Sequence, residues 1–211
     1  GLARSRDGVT FTREDAPILS PSEEYEQYGC EDPRIALIDG TYYLTYTGWD
    51  RRSAQLCLAT STDLRTWTKH GPLFDDFDTF KTMDPRGFNW SKAGVIVPQR
   101  MHRKWWMYFG EGAIYWATSD DLIHWTPGTA DTDPMYSPTK VIARLQEPWL
   151  RPQTFEDMHG LVSNVTFVEG LVKFHGRWFA YYGQSDTTLA VAIHDPAQPW
   201  GAALRSADGD A

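Results

Sequence analysis

The sequence predicts an all-β protein, and specifically a five-bladed β-propeller that is incomplete in this chain. Three observations lead to this prediction. An aromatic strand pattern recurs three times, a second pattern ending in Asp-Leu-x-x-Trp recurs beside it, and no segment shows a long helical period. We therefore expect one partial propeller domain, residues 1–211, built from short antiparallel strands.

The first repeated element is an aromatic strand. It lies at 39–50, 102–113 and 175–186, where a polar turn leads into a run rich in aromatic residues that reaches a glycine. Aromatic and β-branched residues alternating between turn signals indicate a β-strand. These runs are too short, and too closely flanked by glycine, to indicate helices.

The second repeated element is a strand of small residues followed by an Asp turn. LCLATSTDLRTW at 56–67 matches AIYWATSDDLIHW at 113–125, and ARSRDGVTF at 3–11 is a further copy. The aspartates of these turns are expected to accept hydrogen bonds from nearby backbone amides: Asp7, Asp63 and Asp121. Trp67 and Trp125, which follow two of the turns, are expected to lie in the core.

The number of repeats predicts that the ring is incomplete. Five units at this spacing need roughly 290 to 310 residues, whereas the chain has 211. The first copy lacks its aromatic strand, and residues 126–159 contain none either, so we expect a cut N-terminal blade and a shortened fourth blade. Such a remnant leaves sheet edges unpaired, and a homo-oligomer is one way to cover them.

The composition argues against several classes of function. The net charge of −8 disfavours a nucleic-acid partner, because such binders are normally basic. The sequence contains no run of about 18 apolar residues, so no membrane span is expected. The two cysteines and six histidines show no metal-ligand spacing, so we expect reduced thiols in or near the core and no metal. Without a visible signal peptide a cytoplasmic location is expected, with an N-terminus that is missing.

Charged residues recur where the strands of a propeller converge on its channel. The first such cluster is Glu31-Asp32-Pro33-Arg34, which we expect just ahead of an apolar strand, and Asp84-Pro85-Arg86 resembles it in the second unit. Proline disfavours the helical region for the residue before it, so we expect Asp32 to be extended and its carboxylate fixed in direction. Arg34 could orient a carboxylate or phosphate with two hydrogen bonds. A turn with a structural ion pair explains the same residues.

A pocket rich in aromatic rings and carboxylates suits a carbohydrate. Aromatic faces stack on sugar rings, carboxylates accept hydroxyl hydrogen bonds, and a carboxylic acid can protonate a glycosidic oxygen. No Ser-His-Asp arrangement with a nucleophile elbow and no phosphate-binding glycine loop is visible in the sequence. These observations favour a glycosidase over the other hydrolase classes.

Four segments resemble glycoside hydrolase family 130, the β-mannoside phosphorylases and related β-1,2-mannosidases, which are five-bladed propellers: 29–50, 56–67, 91–125 and 160–192. The resemblance implies that Asp32 is the general acid. It would protonate the glycosidic oxygen through a sugar hydroxyl while phosphate attacks the anomeric carbon with inversion. It also implies that Glu31 and Arg34 belong to the substrate pocket and that Asp186 binds sugar.

One departure from the family pattern favours hydrolysis over phosphorolysis. The phosphorylases carry an Arg-Asn or Arg-Asp pair that grips phosphate, where this chain has Lys92-Ala93. Lysine attracts an anion with a single compact ammonium group, whereas the planar guanidinium of arginine can donate two parallel hydrogen bonds to it. An inverting hydrolase needs a second carboxylate to activate water, and Glu111 and Glu169 are the candidates for that role or for binding sugar. No cofactor is expected.

Three alternatives stay open. The first is a β-mannoside phosphorylase, which would use inorganic phosphate as co-substrate and release mannose 1-phosphate. The second is a propeller remnant that binds carbohydrate without turnover, because the Gly-Pro-Pro segment and the Tyr-His or Tyr-Asn strand of the family's fourth blade are not found. The third is an arabinan- or fructan-type glycosidase, which would need its own set of acids.

Overall fold

The computed structural model describes residues 1–74, 90–110, 114–128 and 148–197. Within these residues the regular secondary structure is almost entirely β, in four separate sheets, so the all-β prediction is confirmed. The chain forms two compact units, one of residues 1–2 and 14–141 and the other of residues 3–13 and 142–211. In the described part of the chain no helix is long and apolar enough to cross a membrane.

The first sheet of the first unit is an antiparallel meander. It contains β3 (Gly29–Ile38), β4 (Thr41–Trp49), β5 (Ala54–Ser61) and β6 (Thr68–Pro72), in the order β3-β4-β5-β6. Strand β4 is the predicted aromatic strand and β5 the predicted strand of small residues. Both predictions are confirmed.

The second sheet of this unit repeats that arrangement. It contains β7 (Val95–Met101), β8 (Lys104–Phe109), β9 (Tyr115–Ser119) and β10 (Thr126–Pro127), in the order β7-β8-β9-β10. The aromatic strand is again second and the strand of small residues third. The sequence repeat is therefore a repeat of four-stranded antiparallel sheets.

The core of the first unit includes apolar side chains from both sheets. Leu56 and Leu58 of β5 belong to one buried cluster with Met107 and Trp125. Trp125 is therefore a core residue, as predicted. Because neighbouring residues of a strand point to opposite faces, β5 also faces a second cluster on its other side, against which Trp67 packs, partly buried.

Both cysteines lie beside or within this second cluster, and both are free thiols. Cys57 is buried, and its burial raises the pKa of its thiol to about 12. Cys30 is partly buried, and burial together with the nearby Glu26 carboxylate raises the pKa of its thiol to about 11. The prediction of free thiols in or near the core is confirmed, and a raised pKa lowers the fraction of the reactive thiolate form.

Glu26 ties the segment before β3 onto the first sheet. It ends a 3-10 helix, Glu24–Glu26, in the segment where the sequence indicated at most one helical turn. Its fully buried carboxylate accepts hydrogen bonds from the Lys69 ammonium, the Tyr46 hydroxyl (2.7 Å) and the Ser22 amide (2.9 Å). Burial raises the pKa of Glu26, but these three donors outweigh burial and the pKa lies below its usual value.

The second unit contains one three-stranded antiparallel sheet. Its strands are β11 (Thr166–Phe174), β12 (Arg177–Gln184) and β13 (Thr188–His194), in that order. A single helical turn, α1 (Phe155–Met158), precedes the sheet. Buried Asp157 fixes this turn, because its carboxylate accepts hydrogen bonds from the backbone amides of Gln153 and Thr154 and from the Gln184 side chain.

An N-terminal hairpin completes the second unit. Strands β1 (Ala3–Arg4) and β2 (Thr12–Arg13) form a sheet of their own. The Tyr181 hydroxyl of β12 donates to the Gly8 carbonyl at 3.0 Å, and the Phe11 ring meets the Tyr181 ring edge-on at 5.8 Å. Residues from the two ends of the chain therefore pack together.

All three predicted Asp turns are present and share one hydrogen-bond pattern. In each turn a carboxylate oxygen accepts the amide protons two and three residues later, at 2.8–2.9 Å: Asp7, Asp63 and Asp121. The amides of Thr66 and Arg65 lower the pKa of Asp63 to about 2. The recurring spacing of these aspartates in the sequence thus reflects turn structure, as predicted. Most of the predicted shortened fourth blade lies outside the described residues.

Candidate active site

Asp32 lies in a β-bulge inside strand β3. Glu31 pairs with Thr47 and Arg34 with Thr45, so the ladder between β3 and β4 skips Asp32 and Pro33. Asp32 has a φ of 48°, in the left-handed region that non-glycine residues seldom occupy. Bulges redirect side chains and are common beside active sites. Strained backbone of this kind likewise clusters at functional sites.

Two predictions about this stretch are wrong. The Glu-Asp-Pro-Arg cluster does not precede the strand but lies within it, since β3 already begins at Gly29. Asp32 is not extended, although the residue before a proline usually is. The physical reason is the pairing with β4, because Asp32 and Pro33 together oppose one residue of β4, Tyr46, and such a bulge bends the strand locally. The carboxylate is nevertheless held in one direction, by its neighbours.

The Asp32 carboxylate lies between a hydroxyl and an ammonium group. Its Oδ2 accepts a long hydrogen bond of 3.5 Å from Thr47 Oγ1 and is 3.5 Å from Lys92 Nζ. Thr47 is fully buried, whereas the side chains of Asp32 and Lys92 are 29% and 25% exposed. The carboxylate is therefore anchored from the protein side and still open to a ligand.

Lys92 is brought to Asp32 by the segment ahead of β7, which runs along the first sheet. The Ser91 amide donates to the Ala54 carbonyl at 3.3 Å, and the Ser91 hydroxyl accepts from the Leu56 amide at 2.9 Å. On the other side the Lys92 carbonyl accepts from the Gly110 amide at 2.8 Å. Backbone hydrogen bonds to both sheets thus fix the position from which Lys92 reaches Asp32.

Glu31 lies next to this pair but in a different environment. Its side chain folds over Gly29, where a Cβ atom would lie 2.6 Å from Glu31 Oε1. Burial and the negative charge of Asp32 raise the pKa of Glu31, and Lys92 offsets part of the effect. Glu31 therefore keeps a proton to a higher pH than an ordinary glutamate. Its predicted place in the substrate pocket is compatible with this position and stays a prediction.

Four predicted site residues remain: Arg34, Glu111, Glu169 and Asp186. The Arg34 guanidinium contacts the carbonyl of Pro33 at 3.5 Å, within its own strand. Glu169 belongs to the second unit, where it is the residue skipped by a bulge in β11 between Val168 and Gly170. Asp186 is also in the second unit. Glu111 and the stretch 84–86 lie outside the described residues.

Asp186 is an exposed residue of the turn between β12 and β13. It has a φ of 53°, and Ser185 before it has a φ of 48°. Aspartate tolerates the left-handed region well, which explains this residue by turn structure alone. Its predicted role in sugar binding stays a prediction. Glu169, by contrast, resembles Asp32 in lying at a bulge of the first strand of its sheet.

Sequence reasoning missed Thr47, Trp49 and Trp90 at this site. Thr47 and Trp49 lie on the face of β4 that Glu31 shares, because the ladder pairs Glu31 with Thr47 and Gly29 with Trp49. The two-residue period of β4 put them on one face, but only the register shows that this face is the one at Asp32.

Among the described residues no group of three His, Cys, Asp or Glu side chains could hold a metal ion.

Comparisons with known proteins show which proteins the chain resembles. The family model described as β-1,4-mannooligosaccharide phosphorylase, of glycoside hydrolase family 130, matches residues 1–138. A 1,2-β-oligomannan phosphorylase from Thermoanaerobacter sp. strain X514 is 30% identical, over 92% of this chain and 77% of the relative. A β-1,2-mannobiose phosphorylase from the same organism is 29% identical, over 92% of this chain and 76% of its own length.

The fold is similar as well. One solved structure superposes with a TM-score of 0.78 at 31% identity, over 93% of this chain and 75% of that chain. Its description states that this family of mannoside phosphorylases contains glycoside hydrolases that target β-1,2 mannosidic linkages in Candida mannan. The chain spans about three quarters of the length of these relatives. The family match, the sequence identity and the shared fold together show that this chain belongs to glycoside hydrolase family 130.

Proposed function

We propose that this chain is a β-mannoside phosphorylase, which transfers a mannosyl group from a β-1,2-linked mannoside to inorganic phosphate. The observation that carries the proposal is the Lys92 ammonium 3.5 Å from the Asp32 carboxylate. This arrangement puts a cation that attracts phosphate beside a group that can serve as the acid. The names of the two curated relatives, both phosphorylases, support phosphorolysis over the hydrolysis that the sequence favoured.

The residues can be assigned roles in an inverting transfer. Protonated Asp32 supplies the proton that the leaving glycosidic oxygen takes up, through a sugar hydroxyl, as the bond from that oxygen to the anomeric carbon breaks. A lone pair of a phosphate oxygen forms the new bond to the anomeric carbon from the opposite side. Lys92 attracts the phosphate anion and offsets its charge, and buried Thr47 keeps the Asp32 carboxylate oriented. The products are mannose 1-phosphate and the shortened sugar.

The fold we propose for the whole chain is a single partial five-bladed propeller. Two four-stranded sheets with the same strand order support it, as do the three Asp turns. The contact of the N-terminal hairpin with β12 also supports it, since a ring brings the two ends of a chain together. The shortened fourth blade and the cytoplasmic location belong to the same proposal.

Hydrolysis is the second candidate. Lys92 offers phosphate a single ammonium group, and Ala93 after it has no polar side chain. Phosphate binds best to the planar guanidinium of an arginine, which donates two parallel hydrogen bonds. The description of the solved structure with 31% identity, which mentions hydrolases, points the same way. A hydrolase would need a carboxylate to activate water, for which Glu111 and Glu169 are the proposed residues.

The deciding experiment incubates the protein with β-1,2-mannobiose, and separately with a β-1,4-linked mannoside, with and without phosphate. Mannose 1-phosphate formed only when phosphate is present is the expected result. Mannose released equally well without phosphate would instead establish hydrolysis. Asp32→Asn should abolish either reaction. The matched control is Asp120→Asn, because Asp120 also pairs with a lysine, Lys104, but at an exposed position.

A further inference from the structure

Two tryptophans meet at the edge of the Asp32 site. The Trp49 and Trp90 rings lie 5.7 Å apart at 76°, in an edge-to-face arrangement. Each side chain is partly buried and partly open to solvent. Such a pair serves either as packing between two segments or as an aromatic surface for a ligand.

Trp49 lies on the same sheet face as the site residues. Its partners across the ladder are two small residues, Gly29 on β3 and Ala54 on β5. The Glu31 side chain folds over Gly29. The Glu31 carboxylate therefore lies over the residue that pairs with Trp49.

Trp90 connects the aromatic pair to the reacting groups. Lys92 Nζ lies 5.7 Å from the centroid of the Trp90 ring and 3.5 Å from Asp32 Oδ2. The Lys92 ammonium is therefore close to both the Trp90 ring and the Asp32 carboxylate.

We propose that Trp49 and Trp90 form the binding subsite for one pyranose ring of the β-mannoside, with Glu31 accepting hydrogen bonds from its hydroxyls. This inference rests on the proposed function for the identity of the sugar. The apolar C–H face of a pyranose fits an aromatic ring, and the nearby carboxylate supplies the polar contact that fixes its orientation.

Binding can be measured without turnover. The probe is β-1,2-mannobiose, titrated calorimetrically into Asp32→Asn protein and into the same protein carrying Trp90→Leu, Trp90→Phe or Trp49→Leu. We expect each leucine variant to bind about tenfold or more weakly, because a lost aromatic contact of about 1.4 kcal/mol is a factor of ten. Trp90→Phe keeps an aromatic face and should bind within about threefold of the parent.

Trp178→Leu is the matched control. Trp178 is also a partly exposed tryptophan beside a lysine, with Lys173 Nζ 5.8 Å from its ring, but it belongs to the second unit. Its replacement should leave mannobiose binding unchanged. Melting temperatures of all variants show whether a loss of binding reflects a loss of fold, and the phenylalanine variant keeps the test decisive if leucine unfolds the segment.

Three outcomes would overturn the inference. These are equal binding by the leucine and phenylalanine variants, an equal loss in Trp178→Leu, and no binding of mannobiose by the parent protein. A failure of the proposed function looks different. In that case the binding pattern appears as expected, while wild-type protein forms neither mannose 1-phosphate nor mannose.

Discussion

Replacing Lys69 by methionine should destabilise the first unit strongly, because Lys69 is the only cation among the described residues that pairs with the fully buried carboxylate of Glu26. Glu26 has no exposed surface, and the Lys69 side chain is only 16% exposed. Without Lys69 the carboxylate keeps the Tyr46 hydroxyl and the Ser22 amide as donors. Breaking a buried ion pair from one side costs about 3–5 kcal/mol, since the remaining charge is buried without compensation.

The pH dependence of this effect follows from the pKa of Glu26. In the wild type the pKa of folded Glu26 lies below its usual value. The stability that ionised Glu26 contributes is therefore complete above the pKa of a glutamate in the unfolded chain, about 4.3, and is lost as the pH falls through the pKa of Glu26 in the folded protein. In the variant, burial without a cation raises the folded pKa above the unfolded one. Its stability is then greatest at acid pH and declines as the pH rises, so the difference from wild type widens between pH 5 and pH 8.

Urea unfolding followed by tryptophan fluorescence at pH 5 and pH 8 measures this difference. The matched control is Lys104→Met, because Lys104 pairs with Asp120 where both side chains are well exposed, 45% and 73%. Such a surface pair contributes at most about 1 kcal/mol. Adding Glu26→Gln to Lys69→Met should restore part of the lost stability. A loss in Lys69→Met no larger than the control, or one independent of pH, would refute this reasoning.

Three further predictions concern the site and the second unit. Thr47→Val should lower kcat/KM for mannobiose about fivefold, the value of one hydrogen bond of about 1 kcal/mol to Asp32, and Thr47→Ser should restore most of it. Glu31→Gln should remove an ionisation above the ordinary glutamate range from the pH profile of kcat/KM, since the pKa of Glu31 is raised; an unchanged profile would exclude Glu31 from the pocket. Asp157→Ala should cost about 2–4 kcal/mol in urea unfolding, because it leaves the Gln153 and Thr154 backbone amides and the Gln184 side-chain amide without their buried acceptor; a loss below about 1 kcal/mol would contradict this.

Local patterns in the sequence were sufficient for the strands and the turns. The aromatic strand β4 and the small-residue strand β5 follow from a two-residue period and turn signals, which depend only on neighbours along the chain. The turn at Asp63 follows in the same way, because its hydrogen bonds reach only three residues ahead. Asp32 was found as a site residue through the family resemblance of its motif rather than through its geometry.

What surrounds Asp32 was decided by contacts between residues distant in sequence. The left-handed φ of Asp32 arises from the register of β3 on β4, which overrides the local preference of a residue before proline. Lys92 lies 60 positions further along the chain and reaches Asp32 only because Ser91 binds the backbone of β5.

The sequence by itself therefore determined the repeated β-architecture, the turn aspartates and the family. Only the tertiary structure decided that Asp32 is held by Thr47 and Lys92, and that Trp49 and Trp90 meet beside it. The physical reason is the range of the interactions involved. Periodicity and turn hydrogen bonds act within a few residues, whereas strand register and packing between sheets join side chains whose separation in the sequence carries no signal of their contact.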